Sequence, residues 1–495
     1  MSTTTLTLPF LDGRPKQLLI GGEWGPAASG TTFPSIDPST GAVVAELAEG
    51  DAADADRAVA AARAAFEGPW RTTKPAERQA LIWALADAVK ANFAELRHLE
   101  AVDMGLPIGR SPEAGADHAV EVLRYFAGWA TKVHGDTLPN SMPWQVFTYT
   151  LKEPVGVVAA IIPWNSPINN VLWKLAPVLA SGCTMVLKPA EEASLVALRI
   201  GELVAEVGIP DGVVNVVTGM GETVGAALTA HPDVDKVAFT GSTAVGQQIA
   251  RAAAGNLKRV TLELGGKSPD IVLADADLRR AVPGAAMGVF ANSGQACCAG
   301  TRVFVERPIY DEFVEAASAY ARKLKVGNSL DPETRIGPVA SSEQLERVVG
   351  YLDVGRSEGA RAVAGGERLV DGKLADGYFV APTVLVDVED EMRVATEEIF
   401  GPVACVLPFD TLDEVVTRSN ASRFGLAGGV WTRDVSKAHR LAQELRTGTV
   451  WVNTYNLFDP VVPFGGYKMS GQGRECGPDA LDQYLETKAV WIRTD

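Results

Sequence analysis

From Asp51 to Gly105 apolar residues recur at every third and fourth position, as in "ADRAVAAARAAF" and "AERQALIWALADAVKANFAELRHLEAVDMG". That period puts them on one face of long, Ala-rich helices, which must pack against another layer. Beyond Pro154 the texture changes to short apolar runs: "GVVAAIIP", "TMVLKP", "VVNVVTG", "KVAFTG" and "RVTLELGG". Each ends in loop residues and is separated from the next by a helix-like segment. Repetition of strand then helix predicts a parallel, doubly wound sheet, whose ligands gather beyond the strand carboxyl ends.

A second series follows, with strand candidates "PDIVLA", "RVFVERP", "PTVLVDV", "FGPVACVLPF", "LAGGVWT" and "GTVWVNT", interleaved with helical stretches such as "IYDEFVEAASAYARKL". It predicts a second α/β unit beginning near Lys267. Two segments fit neither series, "QVFTYTLKEP" and the closing "LETKAVWI". Both alternate apolar with polar residues, as half-exposed strands do. A lone ribbon and a terminal strand invite pairing with another subunit.

A chain of 495 residues that is 47% hydrophobic and 21% charged buries a large core in two or three domains. Its net charge of -16 repels phosphate backbones and anionic lipid, so neither nucleic acid nor a membrane surface is an expected partner. The start "MSTTTLTLPFLDGRPK" lacks the pattern of a secretory leader, and no run of about 18 uncharged apolar residues occurs; a cytoplasmic protein is expected. Five scattered cysteines (Cys183, Cys297, Cys298, Cys405, Cys476) fit a reducing compartment. The five histidines lie far apart without paired spacing, so no metal site is expected.

Candidate chemistry centres on "FANSGQACCAGTR", Phe290 to Arg302, where two adjacent thiols sit among small residues. A nucleophilic cysteine needs help to ionise or a base nearby. Glu263 in "TLELGGKSP" ends a strand, in the crevice position, where it is either a base or a structural acceptor. Asn165 in "IIPWNSP", held between Pro163 and Pro167, is either an amide donor for a developing oxyanion or a turn asparagine. Two glycine clusters compete to cradle phosphate. "TGMGETVG" (Gly219, Gly221, Gly225) is one residue too long for GxGxxG, whereas "FTGSTAVGQQI" puts Gly241 and Ser242 at a strand end and Gly246 inside the following helix. In "LKPAEEASL", Lys188 and Glu191 could grip a ribose from both sides or be ordinary surface charge.

Taken in order, "PWNSP", "LKPAEEAS", "FTGSTAVG", "LELGGKSP", "NSGQACCAGTR", "EEIFGPV" and "PFGGYKMSG" resemble the aldehyde dehydrogenase superfamily over nearly the whole chain. The resemblance implies an α/β fold with three parts. Residues 1–131 and 155–265 would form a Rossmann-like cofactor domain and 266–474 a catalytic domain. Residues 132–154 and 475–495 would form a small bridging arm that assembles dimers or tetramers.

It further implies that Cys297 is the nucleophile, Glu263 the general base and Asn165 the oxyanion-holding amide, with Lys174 and Glu475 relaying the base's proton outward. Lys188 and Glu191 match the contacts to the adenosine ribose, Gly241, Ser242 and Gly246 the pyrophosphate region, and Glu398 and Phe400 the nicotinamide half. Ile161, Pro163, Trp164, Gly221, Gly225, Phe239 and Leu264 fall among the cofactor positions. Positions matching the substrate tunnel read Ser166, Asn169, Asn170, Trp173, Ala291, Ala296, Cys298, Phe458 and Phe464, small or amide side chains replacing several bulky apolar ones.

The expected reaction is oxidation of an aldehyde to its acid with NAD, through a thioacyl-enzyme that a Glu263-activated water hydrolyses. Glu191 should repel a 2′-phosphate, although Lys188 leaves NADP use open. The expected substrate is a bulky or oxygen-bearing aldehyde. A thiol esterase and a coenzyme A-acylating dehydrogenase are the rival readings.

Overall fold

The computed structural model describes residues 8–495, apart from 110 and 112. Five strands run parallel in the first sheet, in the order Arg259–Glu263, Lys236–Thr240, Val157–Ile161, Thr184–Lys188, Val214–Val216. The chain enters at the central strand Val157–Ile161 and builds outward first on one side and then on the other. The order therefore reverses between Val157–Ile161 and Lys236–Thr240, and a crevice opens there at the strand carboxyl ends. Along Val157–Ile161 the residues alternate between two cores. Val158 and Ala160 face the helices Pro75–Ala91, Ala116–Ala130 and Pro167–Ser181, whereas Val157, Ala159 and Ile161 face Ala52–Glu67 and Thr243–Ala253.

Three pieces of this sheet carry no clear sequence signal. The antiparallel strands Leu18–Ile20 and Glu23–Gly25 extend one edge, and Gly471–Gln472 adds to the other beside Leu262 and Glu263. Each has only two or three residues, too few to display a period. The last of them comes from late in the chain, and its arrival closes the crevice over the Glu263 end.

The second sheet holds six parallel strands in the order Thr383–Val386, Val403–Phe409, Arg302–Glu306, Pro269–Val272, Ala427–Trp431, Thr449–Val452, with Arg361–Ala364 antiparallel at one edge. The two alternating segments found neighbours in each other. Val146–Pro154 and Leu485–Arg493 pair antiparallel over nine residue positions within one chain, leaving Phe147, Leu151, Trp491 and Ile492 exposed. Among the described residues no helix is long and apolar enough to cross a membrane.

What joins the two sheets is a set of close backbone approaches. After Glu263 the chain runs through Gly265 and Gly266, where a Cβ would overlap the Glu398 carboxylate and the Cys297 carbonyl respectively. The helix Leu278–Phe290 then breaks into the tight turn Ala291–Gly294, in which Asn292 (φ 51°), Ser293 (φ 56°) and Gly294 (φ 74°) are all left-handed. Asparagine tolerates that region; at Gly294 a Cβ would also meet the Gly401 carbonyl. Gln295 locks the turn from inside, its Oε1 accepting from Ala340 N at 2.8 Å and its Nε2 donating to the Asn292 carbonyl at 3.1 Å. Gly294→Ala should therefore cost about 1–3 kcal/mol in strain. It should also lower kcat/KM at least about tenfold by displacing the thiol, read as a drop in the thermal midpoint together with the steady-state rate.

Candidate active site

A cavity of about 260 Å³ lies between the two sheets, and every residue matched to catalysis lines it: Cys297, Glu263, Asn165, Lys174 and Glu475. So do all nine positions matched to the substrate tunnel: Ser166, Asn169, Asn170, Trp173, Ala291, Ala296, Cys298, Phe458 and Phe464. Trp173, Phe458 and Phe464 meet edge to face with ring centroids 5.2–5.9 Å apart, forming an apolar wall opposite the asparagines.

Asn165 is held from three directions. Its Nδ2 donates to the Gln295 carbonyl at 2.9 Å, its Oδ1 accepts from Asn170 Nδ2 at 3.5 Å, and its own carbonyl accepts from Asn292 Nδ2 at 2.6 Å. The second Nδ2 hydrogen stays free for a ligand. Among the described residues the Cys297 N–H donates to no protein acceptor either. The two uncommitted donors belong to residues that line the same small cavity.

Burial works against charge on the two groups matched to nucleophile and base. The Cys297 thiol is pushed well above its usual range by its hydrogen bond with Cys298 and by burial, with the Glu398 and Glu263 carboxyls adding to the effect. Glu263 is pushed well above the carboxylate range by burial and then by Glu475; Lys174, Arg474 and the Gly466 amide favour its charge too weakly to offset this. Neither of its oxygens completes a hydrogen bond with the protein. A buried carboxyl with both oxygens unpartnered is costly unless something else uses it. Beneath it Lys174 and Glu475 form a buried ion pair.

A second groove, of about 580 Å³, opens at the carboxyl ends of the first sheet's strands. Ten of the residues matched to cofactor binding line it: Ile161, Pro163, Trp164, Lys188, Glu191, Gly221, Gly225, Phe239, Gly241 and Ser242. Lys188 Nζ donates to Glu191 Oε2 at 2.8 Å. Burial works against the charge on Glu191, but Lys188 outweighs it and the carboxyl stays below its usual value. Ser242 caps the helix Thr243–Ala253, its Oγ accepting from Val245 N at 3.3 Å, and a Cβ on Gly221 would meet nothing within 4 Å. Thr240 lines both groove and cavity, so the two are neighbours across one strand end.

The other four matched cofactor residues lie outside the groove lining. Gly246 is buried in its helix against Leu264, where a Cβ would overlap the leucine side chain. Glu398 accepts from Gly266 N at 2.9 Å, and burial pushes its carboxyl up to about 7. Phe400 (φ 61°) packs edge-on against Trp164 at 5.3 Å, with its carbonyl accepting from Gln344 Nε2 at 2.7 Å. Sequence reasoning missed Leu106, Thr240, Asn292 and Asn456 in the cavity wall. Thr240 had a signal, as the last residue before Gly241. Asn456 stands two residues before the matched Phe458, whereas Leu106 arrives from a distant segment and had none.

The aldehyde dehydrogenase family model matches residues 24–490. The chain is 50% identical to the mitochondrial aldehyde dehydrogenase of Homo sapiens, covering 99% of this chain and 95% of that one. Its fold is similar to an aldehyde dehydrogenase of Bacillus cereus solved as an NAD+ complex, with TM-score 0.95, 49% identity and 98% of each chain covered. It is also similar to the betaine aldehyde dehydrogenase of Staphylococcus aureus, likewise solved with NAD+, with TM-score 0.96, 40% identity and 99% and 97% covered. With a thiol, a buried carboxyl and a held amide around one cavity, and a match over nearly its full length, this chain belongs to the aldehyde dehydrogenase family and is an oxidoreductase.

Proposed function

We propose that the protein oxidises a bulky or oxygen-bearing aldehyde to its carboxylic acid with NAD, using Cys297 as nucleophile and Glu263 as base. The observation that carries this reading is the convergence of Cys297, Glu263 and Asn165 on one cavity, joined at Thr240 to a groove suited to a dinucleotide. The groove's fit rests on its own residues. Lys188 and Glu191 offer a cation and a carboxylate to a ribose diol, and the amides at the start of Thr243–Ala253 face the groove mouth for a pyrophosphate. When bound, the nicotinamide supplies the two-electron acceptor and a positive charge near the thiol.

The protein's part begins when the Cys297 sulfur, as the thiolate left after its proton is lost to solvent, bonds to the aldehyde carbon. The carbonyl π pair moves onto oxygen, where the free Asn165 Nδ2 hydrogen and the Cys297 N–H stabilise it. Loss of hydride from that carbon leaves a thioester on sulfur. Glu263 then takes a proton from water as the oxygen attacks the acyl carbon; the C–S bond breaks, the acid departs and the thiol is restored. Lys174 and Glu475, buried beneath the base, carry its proton away. Small and amide side chains at Ser166, Asn169, Asn170 and Ala291 leave room for a substituted aldehyde. The apolar residues on the paired strands, with the open edge of Thr449–Val452, support a homo-oligomer.

Cys297→Ala should abolish NADH formation. Asn165→Ala should lower kcat about 100- to 1000-fold. Glu263→Gln should keep a burst of NADH while slowing turnover about 100- to 10,000-fold, which stopped-flow absorbance separates. The working forms of both Cys297 and Glu263 are deprotonated and both groups are shifted upward, so kcat/KM should climb with pH above neutrality. A rate already flat from pH 5 would contradict this. An esterase would form product without NADH, and an acylating enzyme would need coenzyme A. Glu191→Gln should raise kcat/KM with NADP relative to NAD at least about tenfold, measured side by side. Sedimentation should give two or four times the 52.3 kDa chain mass.

A further inference from the structure

The inner cavity does not end at Ser166. A second chamber of about 530 Å³ lies beyond it and shares three wall residues with it, Leu106, Ser166 and Asn169. Resting on the reading of the inner cavity as an aldehyde site, we propose that this outer chamber is a distal subsite. It would select aldehydes carrying a long, uncharged tail with a hydrogen-bonding atom partway along it.

The sequence of environments from the thiol outward supports that substrate. Next to Cys297 stands the aromatic wall of Trp173, Phe458 and Phe464, suited to an apolar ring or chain. At the waist Asn169 Nδ2 donates to Ser166 Oγ at 3.2 Å. That bond leaves the Ser166 hydroxyl hydrogen and Asn169 Oδ1 without protein partners among the described residues, a donor and an acceptor on the path of the tail. An ether oxygen placed there accepts from the Ser166 hydroxyl, and a hydroxyl or amide can also donate to Asn169 Oδ1; a methylene leaves both unmatched. Outside the waist the walls turn apolar again, with Phe93, Pro107, Ile108 and Ala119.

Among the described residues the charged pair in the outer chamber's wall is already committed. Arg97 and Glu100 form an ion pair; Arg97 Nη2 also donates to the Pro107 carbonyl at 2.8 Å, and Glu100 Oε1 accepts from Ile168 N at 3.4 Å. A charged tail beside them would have to compete with that pair, whereas a neutral one avoids the desolvation cost. Glu100 does more than neutralise: by accepting from the first turn of Pro167–Ser181 it fixes the segment that carries Ser166 and Asn169. The waist is therefore built on a buried anchor and not on a loose loop.

The test compares three aldehydes under saturating NAD: benzaldehyde, 4-(benzyloxy)benzaldehyde and 4-(2-phenylethyl)benzaldehyde, the last replacing the ether oxygen by a methylene. The ether should show a kcat/KM at least tenfold above both others. His118→Trp, at an exposed position that lines the outer chamber and not the inner cavity, fills that space and should bring the ether-to-benzaldehyde ratio to near one, with the benzaldehyde rate unchanged; Ala114→Trp, also exposed, is the second such variant. Equal rates on the three aldehydes, or a ratio that neither variant moves, would overturn the distal subsite while leaving the proposed reaction intact. Absence of NADH formation with all three would overturn the proposed reaction as well.

Discussion

The contact on which the site depends is the close approach of two backbones at Gly265 and Gly266. There the strand end that carries Glu263 in the first sheet passes against the Cys297 carbonyl and the Glu398 carboxylate of the second unit. A side chain at Gly265 would displace the Glu398 carboxylate, and one at Gly266 would meet the Cys297 backbone and hold the two sheets apart. The cavity exists because they are not held apart. Its walls come from both sheets, so its volume and the spacing of its reactive groups are set by that approach and by the left-handed turn at Asn292, Ser293 and Gly294.

Such a seam explains the electrostatic character of the site. Groups trapped between two packed units lose water, and charge there is unfavourable unless paired. Lys174 and Glu475 satisfy that condition by pairing. Glu263 and Cys297 do not, and both are pushed toward their protonated forms. Burial of this kind disfavours a free thiolate and a free carboxylate, so both groups need help to ionise. Asn165 illustrates the complementary strategy: two hydrogen bonds orient its side-chain amide and a third fixes its backbone carbonyl, leaving one amide hydrogen uncommitted.

The same helix start, Ser166 through Asn170, faces both the reacting centre and the space beyond it. Glu100 holds that turn by accepting from Ile168 N, and Asn170 on the same turn donates to Asn165.

Much of this was legible in the order of residues. Eleven parallel strands were visible as apolar runs because a strand buried on both faces is apolar along most of its length, and Val157–Ile161 shows this directly. The matched motifs named five residues, Cys297, Glu263, Asn165, Lys174 and Glu475, that the structure gathers around one cavity. What stayed hidden was whatever depends on position in space alone. The short edge strands Leu18–Ile20 and Gly471–Gln472 form because a neighbouring edge is present, not from their own pattern. Leu106 lines the cavity only because segments hundreds of residues apart meet there. Local sequence determined which side chains can react and which stretches become strands, since both follow from residue type and period. Tertiary packing alone decided that Glu263 would be dry, that the two orphan strands would pair with each other, and that a second chamber would open past Ser166, since burial, pairing and empty volume are properties of the assembled chain.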